Sequence, residues 1–299
     1  MKTWKRLFAL LLTLLLLGGV SVSAFAAEPS EDSLALYQGV ESIRMIYESD
    51  INLYMSIMED TLDMDMGFEG DIDFFLDPEQ GRMTLNATIA DTEEESIIYY
   101  EKSEDGYRMV VSNDDGETWS EQLVDAADLP SGASVSVEFL AKLTDLAQIL
   151  PETGDGEVKG TPVTIYSGLL TGEDASGIIS ASGALAVLES GMGMDTGEMD
   201  VSDLGSLPVT IALDRKTGRL MRYDLDITEI EQNMMDQLIE NLLRSELGGE
   251  DLPEDLDLNE LFTIKVNKAV TSTILYDYNK VEEFILPEVT AAPERDEEA

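Results

Sequence analysis

The sequence predicts an α+β fold in which a meander of long antiparallel hairpins is covered on one face by a few helices. Three observations carry this. Between Leu62 and Leu76, Leu62, Met64, Met66, Phe68, Ile72, Phe74 and Leu76 hold the even positions, while Asp63, Asp65, Glu69, Asp71 and Asp73 hold odd ones. That two-residue period is the mark of a strand with one buried and one wet face. Two later stretches, Ser134 to Leu150 and Ile230 to Leu242, instead space their apolar residues three and four apart, as a helix does. With no fixed-period repeat and no Pro/Ser-rich linker, residues 27–290 read as one domain.

The elements follow in order. Met1 to Arg6 is basic, Leu7 to Leu17 is apolar, and small residues lead to Ala24-Phe25-Ala26. This is the pattern of a secretory signal peptide over residues 1–26, cut before Ala27. Leu36, Val40, Ile43, Met45 and Ile46 suggest a helix from Leu34 to Tyr47, after which Ile51, Leu53, Met55 and Ile57 alternate as a strand. The strand from Leu62 to Leu76 is long enough that Gly70 is expected to mark a bend or bulge. Asp77 to Gly81 reads as a turn, and Met83, Leu85 and Ile89 return from it with the same alternation. Ser96 to Lys102 and Tyr107 to Val111 form the next pair, and a short strand begins at Trp119.

Pro151 stops the helix of Ser134 to Leu150, and Val158 to Leu169 returns to strand. Thr171 to Ser190 is a weaker helix or surface segment, and Gly191 to Ser206 a loop. Val209, Ile211 and Leu213 pair with Met221, Tyr223, Leu225 and Ile227 across Asp214 to Gly218. Thr228-Glu229-Ile230-Glu231 has the form of a capping box and opens a helix that runs to Gly248-Gly249. An acidic loop, Glu250 to Glu260, precedes strands at Phe262 to Val270 and Thr273 to Tyr278. Residues 291–299 are a charged, disordered tail.

Composition excludes more than it identifies. The 299 residues carry 62 Asp plus Glu against 18 Lys plus Arg, a formal charge of −44, and neither His nor Cys. That removes His- and Cys-dependent catalysis, disulfides, thiolate metal sites and haem attachment. So acidic a surface opposes nucleic acid. Loss of the signal peptide removes three positive charges, so export makes the chain more acidic. After Ala27 nothing approaches a membrane span, and a lipidated cysteine is missing. No G-x-S-x-G, Walker, dinucleotide or zinc-protease pattern occurs, no cofactor is implied, and the acidic pairs on strands line solvent faces. The loop at Glu250 to Glu260 leaves weak calcium binding open, although no EF-hand spacing is present.

Ser112-Asn113-Asp114-Asp115-Gly116-Glu117-Thr118-Trp119 matches the Asp-box pattern S-x-D-x-G-x-T-W. A single copy with scattered arginines reads as a structural turn built by Ser112, Asp114, Gly116, Thr118 and Trp119 rather than as a carbohydrate site. The 14 methionines, several on the alternating strands, fit either ordinary core filling or an adaptable apolar wall.

The order of these elements, the Tyr99-Tyr100 strand, the turn ending in Thr118-Trp119, the mid-chain helix and the closing Leu286-Pro287-Glu288-Val289 resemble the LolA/LppX-like superfamily of bacterial lipoprotein and lipid carriers, in particular its secreted branch. The resemblance implies a strongly curved sheet, an incomplete barrel closed on its concave side by helices, with an apolar cavity between them and no catalytic residues. It makes Met64, Met66, Phe68, Phe74, Met83, Leu85 and Ile89, on the apolar sides of the first hairpin, the expected ligand-lining residues. The implied protein is a secreted monomer that binds a lipid, an acyl chain or a lipoprotein's lipid moiety. Its rivals are an envelope or extracellular interaction protein with a fully packed core and, more remotely, an Asp-box carbohydrate-active protein.

Overall fold

The computed structural model describes residues 28–57, 60–90, 92–104, 106–124, 135–172, 174–175, 205–246 and 262–289. The signal peptide, the acidic loop at 250–260, the tail, and nearly all of the segment 171–206 beyond Gly172 lie outside the described residues. Three helices are described: α1 (Glu31–Leu36), α2 (Val137–Ile149) and α3 (Thr228–Glu246). The strands are β1 (Ser42–Ile57), β2 (Asp60–Leu76), β3 (Glu79–Ile89), β4 (Thr92–Ser103), β5 (Gly106–Ser112), β6 (Ser120–Val124), β7 (Glu152–Val158), β8 (Thr161–Thr171), β9 (Ser206–Asp214), β10 (Leu220–Asp226) and β11 (Phe262–Tyr276).

They form a single antiparallel sheet in the order β6-β5-β4-β3-β2-β1-β11-β10-β9-β8-β7, with β6 and β7 as unjoined edges. The α+β class and the open, incomplete barrel are therefore those expected. Two meanders, β1 to β6 and β7 to β10, are stitched together by β11, which pairs with β1 on one side and β10 on the other.

Alternation becomes architecture through register. Pairing Ile51 with Met66 and Met45 with Ile72 puts the odd residues of β1 and the even residues of β2 on one face. Met66 with Ile89, and Met83 with Ile98, carry that inner face outward to β4. Leu53 with Val266, and Tyr223 with Ile211, carry it the other way. The acidic positions of β2 then fall on the outer face.

α2 packs over β8 to β10 and α3 over β9 and β11. Ser136 caps α2 by accepting from Phe139 N at 3.1 Å. Its apolar stripe of Phe139, Leu140, Leu143, Leu146 and Ala147 joins the strand side chains in one continuous core. α1 is tied to that layer where the Tyr37 and Thr144 hydroxyls meet at 2.7 Å and Leu220 N donates to Tyr37 Oη at 3.0 Å.

Several local expectations are corrected. The first helix ends at Leu36, and Ser42 already begins β1, because pairing of Ile43, Met45 and Tyr47 with β2 and β11 outweighs a weak helical spacing. The turn after β2 is only Asp77-Pro78, and Glu79 to Gly81 already pair in β3. Gly70 is no bulge: β2 keeps one register with both neighbours, and Gly70 sits on the inner face between Tyr47 and Leu85. The irregularity falls instead in β11, where Asn267 is the extra residue between partners of Asn52 and Leu53. The two expected terminal strands are one, because Thr271 and Ser272 pair without interruption with Ser49 and Glu48 of β1. The last strand of the first meander starts at Ser120, and β7 went unread because Thr153-Gly154-Asp155-Gly156-Glu157, an exposed edge, has no apolar alternation.

Candidate functional site

All seven expected lining residues lie on the inner face. Met64, Met66, Phe68, Phe74 and Met83 are buried, and Leu85 and Ile89 are half-buried against the same core. The strand period brings them together. Beyond those seven, the inner face is extended by Met45, Met55 and Met109 from other strands and by Met234 and Met235 from α3, all buried. Eight methionines therefore share one core, with the aromatic rings of Tyr47, Phe68, Phe74, Tyr100 and Tyr223. Methionine's three rotatable bonds and polarizable sulfur make such a wall adaptable.

In the middle of this apolar face stands a polar patch that sequence reasoning missed. Ser49, Thr271, Thr273 and Glu231 are all buried, with Ser49 opposite Thr271 and Tyr47 opposite Thr273. The capping box is not made. Thr228 faces β11, accepting from Ala269 N at 2.8 Å, and Glu231 turns into the core at 3% exposure. One Glu231 carboxyl oxygen, Oε1, has no hydrogen-bond partner. Burial pushes the Glu231 carboxyl up to about 8, so it is protonated at neutral pH. Burial also pushes the neighbouring Tyr47 phenol up, and Glu231 adds to that shift. The Tyr47 hydroxyl lies close to Ser49, yet Ser49 Oγ lacks a partner at hydrogen-bonding distance and angle. The only signal in the sequence was a Glu three residues into a helix, which reads equally well as a cap.

The Asp-box segment folds as a turn. Asp114 Oδ1 accepts from Thr118 N at 2.8 Å and Ser112 Oγ at 2.7 Å, and Ser112 Oγ in turn accepts from Gly116 N at 2.9 Å. Gly116 has φ +85°, which suits glycine. Thr118 Oγ1 and N, with Ser112, hold the Asp114 carboxyl down at about 2. The turn delivers Trp119 to the outer face, where its ring meets Tyr99 with centroids 5.6 Å apart. Phe284, on the segment after β11, joins the same cluster, 5.7 Å from Tyr99 and 5.7 Å from Phe75, with the Arg82 guanidinium over its ring.

The outer face also holds a trough of about 1230 Å³ that crosses β4 to β8. Its lining includes eight carboxylates (Glu48, Asp50, Glu69, Glu93, Glu94, Glu95, Asp224 and Asp226) and one guanidinium, Arg222. Arg222 Nε donates to Asp224 Oδ1 at 2.8 Å, and Lys268 pairs with Asp50. This surface repels phosphate and other anions. Among the described residues no three His, Cys, Asp or Glu side chains are placed to hold a metal ion, and no helix is long and apolar enough to cross a membrane.

No family model and no curated sequence matches this chain. Among solved structures it is similar to LprF from Mycobacterium bovis, at 12% identity and a TM-score of 0.41, covering 87% of this chain and 99% of that one. It is similar to the Mycobacterium tuberculosis lipoprotein LppX at 11% identity and a TM-score of 0.36, covering 84% and 93%. A LolA superfamily protein from Nitrosomonas europaea follows at 8% identity and a TM-score of 0.15, covering 84% and 93%. The architecture is read from this chain's own strands and helices.

Proposed function

We propose that this chain is a secreted, non-enzymatic monomer that holds an apolar ligand, a lipid or an acyl chain, between the inner face of its sheet and the helices. The observation that carries the reading is the methionine-rich wall. A core built only for stability favours Leu, Ile and Val, whose rotamers are well defined, whereas eight buried methionines favour a surface that refits around varied hydrocarbon. The acidic outer face supports the same reading, since it keeps the carrier dissolved while the opposite face stays apolar. Met64, Met66, Phe68, Phe74, Met83, Leu85 and Ile89 are the proposed lining. Residues 1–26 direct export and are removed in the mature protein.

The test is native mass spectrometry of the protein purified from a secreting host, followed by solvent extraction. A co-purifying lipid, or uptake of added acyl chains with displacement of a hydrophobic dye, is expected. A ligand-free protein that ignores both acyl chains and dye overturns the proposal in favour of an interaction protein with a packed core.

A further inference from the structure

We infer that Glu231 and Ser49 form the polar anchor of this apolar site, taking the uncharged hydrogen-bonding group of an amphiphile, such as an ester, alcohol or amide, while its hydrocarbon lies along the methionine wall. The inference rests on the carrier reading above.

Among the described residues three buried side-chain oxygens have no hydrogen-bond partner: Glu231 Oε1, Ser49 Oγ and, at an outer-face position of β11, Ser272 Oγ. Other buried polar groups are paired. Tyr37 meets Thr144, Gln232 accepts from Val266 N at 2.7 Å, and Asp73 takes two guanidiniums. Glu231 Oε1 and Ser49 Oγ break that rule on one face, one from α3 and one from β1, with Tyr47 beside both. A buried donor or acceptor left unpaired is costly, and a ligand that pairs it recovers that cost only when bound. Both residues are at least nine-tenths buried, Ser49 opposite Phe68 and Thr271 and Glu231 near Tyr47, on a face that is otherwise apolar, so a partner must itself be largely hydrocarbon.

Charge selects the head group. The strand arginines Arg44, Arg82, Arg108 and Arg222 all occupy outer-face positions, where they pair with Asp73, Glu101, Glu121 and Asp224. A phosphate or carboxylate brought to the inner patch would find no strand guanidinium there, and Glu231 in its place. A protonated Glu231 and the Ser49 hydroxyl can each donate to a carbonyl oxygen and accept from a hydroxyl or amide, which suits a neutral head.

The experiment measures binding of monopalmitin, palmitate and hexadecane to the mature protein at pH 7, by native mass spectrometry and by dye displacement. Wild type is expected to take monopalmitin at least tenfold more tightly than palmitate. Glu231→Leu and Ser49→Ala should each lower monopalmitin affinity five- to tenfold and leave hexadecane unchanged, while Glu231→Gln, which still donates and accepts, should retain most of it. Ser49→Ala reads the anchor even where Glu231→Leu fails to fold. Wild-type uptake of monopalmitin matched by both Ser49→Ala and Glu231→Leu overturns the anchor and leaves the carrier standing. Uptake of none of the three probes by wild type overturns the carrier, and the anchor with it.

Discussion

The ring of Tyr100 on β4 occupies the space over Gly81, its cross-strand partner on β3, so that a Cβ built at Gly81 would clash with the hydroxyl end of the ring, Cζ and Oη. Tyr100 is wholly buried and its ring stacks tilted against Phe74 at 6.4 Å. Glycine is there for contact, since only a hydrogen fits beneath the aromatic. Gly81→Ala should destabilise by about 1 to 3 kcal/mol, the range for overpacking a core. In a Tyr100→Ala background the same substitution should cost much less, and urea unfolding of the four proteins of the cycle measures the difference.

Asp73 sits at an outer-face position of β2 but is buried beneath Arg44, whose Nε donates to it at 2.6 Å, and Arg82. Burial alone would raise its carboxyl, yet the two guanidiniums outweigh it and hold Asp73 below the usual carboxylate range. Stability from this group is present above the ordinary carboxylate pKa and is lost as pH falls through the depressed value. Asp73→Asn should cost about 2 kcal/mol at pH 7 and flatten the acid limb of the stability profile.

Glu231 acts in the opposite sense. Its folded pKa of about 8 lies above the ordinary 4.5, so its contribution is full below pH 4.5 and is lost as pH climbs toward 8. The slope in that window is at most about 1.4 kcal/mol per pH unit. Glu231→Gln removes the slope, so denaturation midpoints of wild type and variant should diverge between pH 5 and pH 8, with the variant the more stable at pH 8. Parallel curves would show that Glu231 is ionised in the native state.

Phe284 fastens the segment after β11 across the outer face through Phe75, Tyr99 and Arg82. Phe284→Ala should cost about 1 to 2 kcal/mol, less than a full core deletion because the ring is only half-buried. It should also shift Trp119 emission to the red, since Tyr99 is their shared neighbour.

Asp114→Ala should loosen the turn without unfolding the sheet. Asp114 alone holds Thr118 by both its N–H and its hydroxyl. The expected result is a Trp119 emission shift with unchanged far-UV circular dichroism; loss of the β signal would show that the turn is needed for β5 and β6 to pair.

What could be read in advance follows from which interactions are local. The two-residue period of Leu62 to Leu76 is a property of the strand itself, so the face shared by Met64, Met66, Phe68, Phe74 and Met83 was legible before any partner was known. The Asp-box turn was legible for the same reason, since its hydrogen bonds span four residues or fewer. Gly70 and Glu231 were misread because their local signals, a glycine in a long strand and a Glu at the third position of a capping box, are each compatible with two environments.

By itself, then, the sequence determined the strand faces, the hairpins, the helices over one side and the acidic outer coat, because side-chain period and turn chemistry act within a few residues. Only the tertiary structure decided that β11 joins the two meanders, that the bulge falls at Asn267, that Phe284 closes over Tyr99, and that Glu231 is buried beside Tyr47 rather than capping α3. Those outcomes depend on contacts between residues far apart in the chain, and a buried carboxyl is distinguished from a cap only by what packs over it.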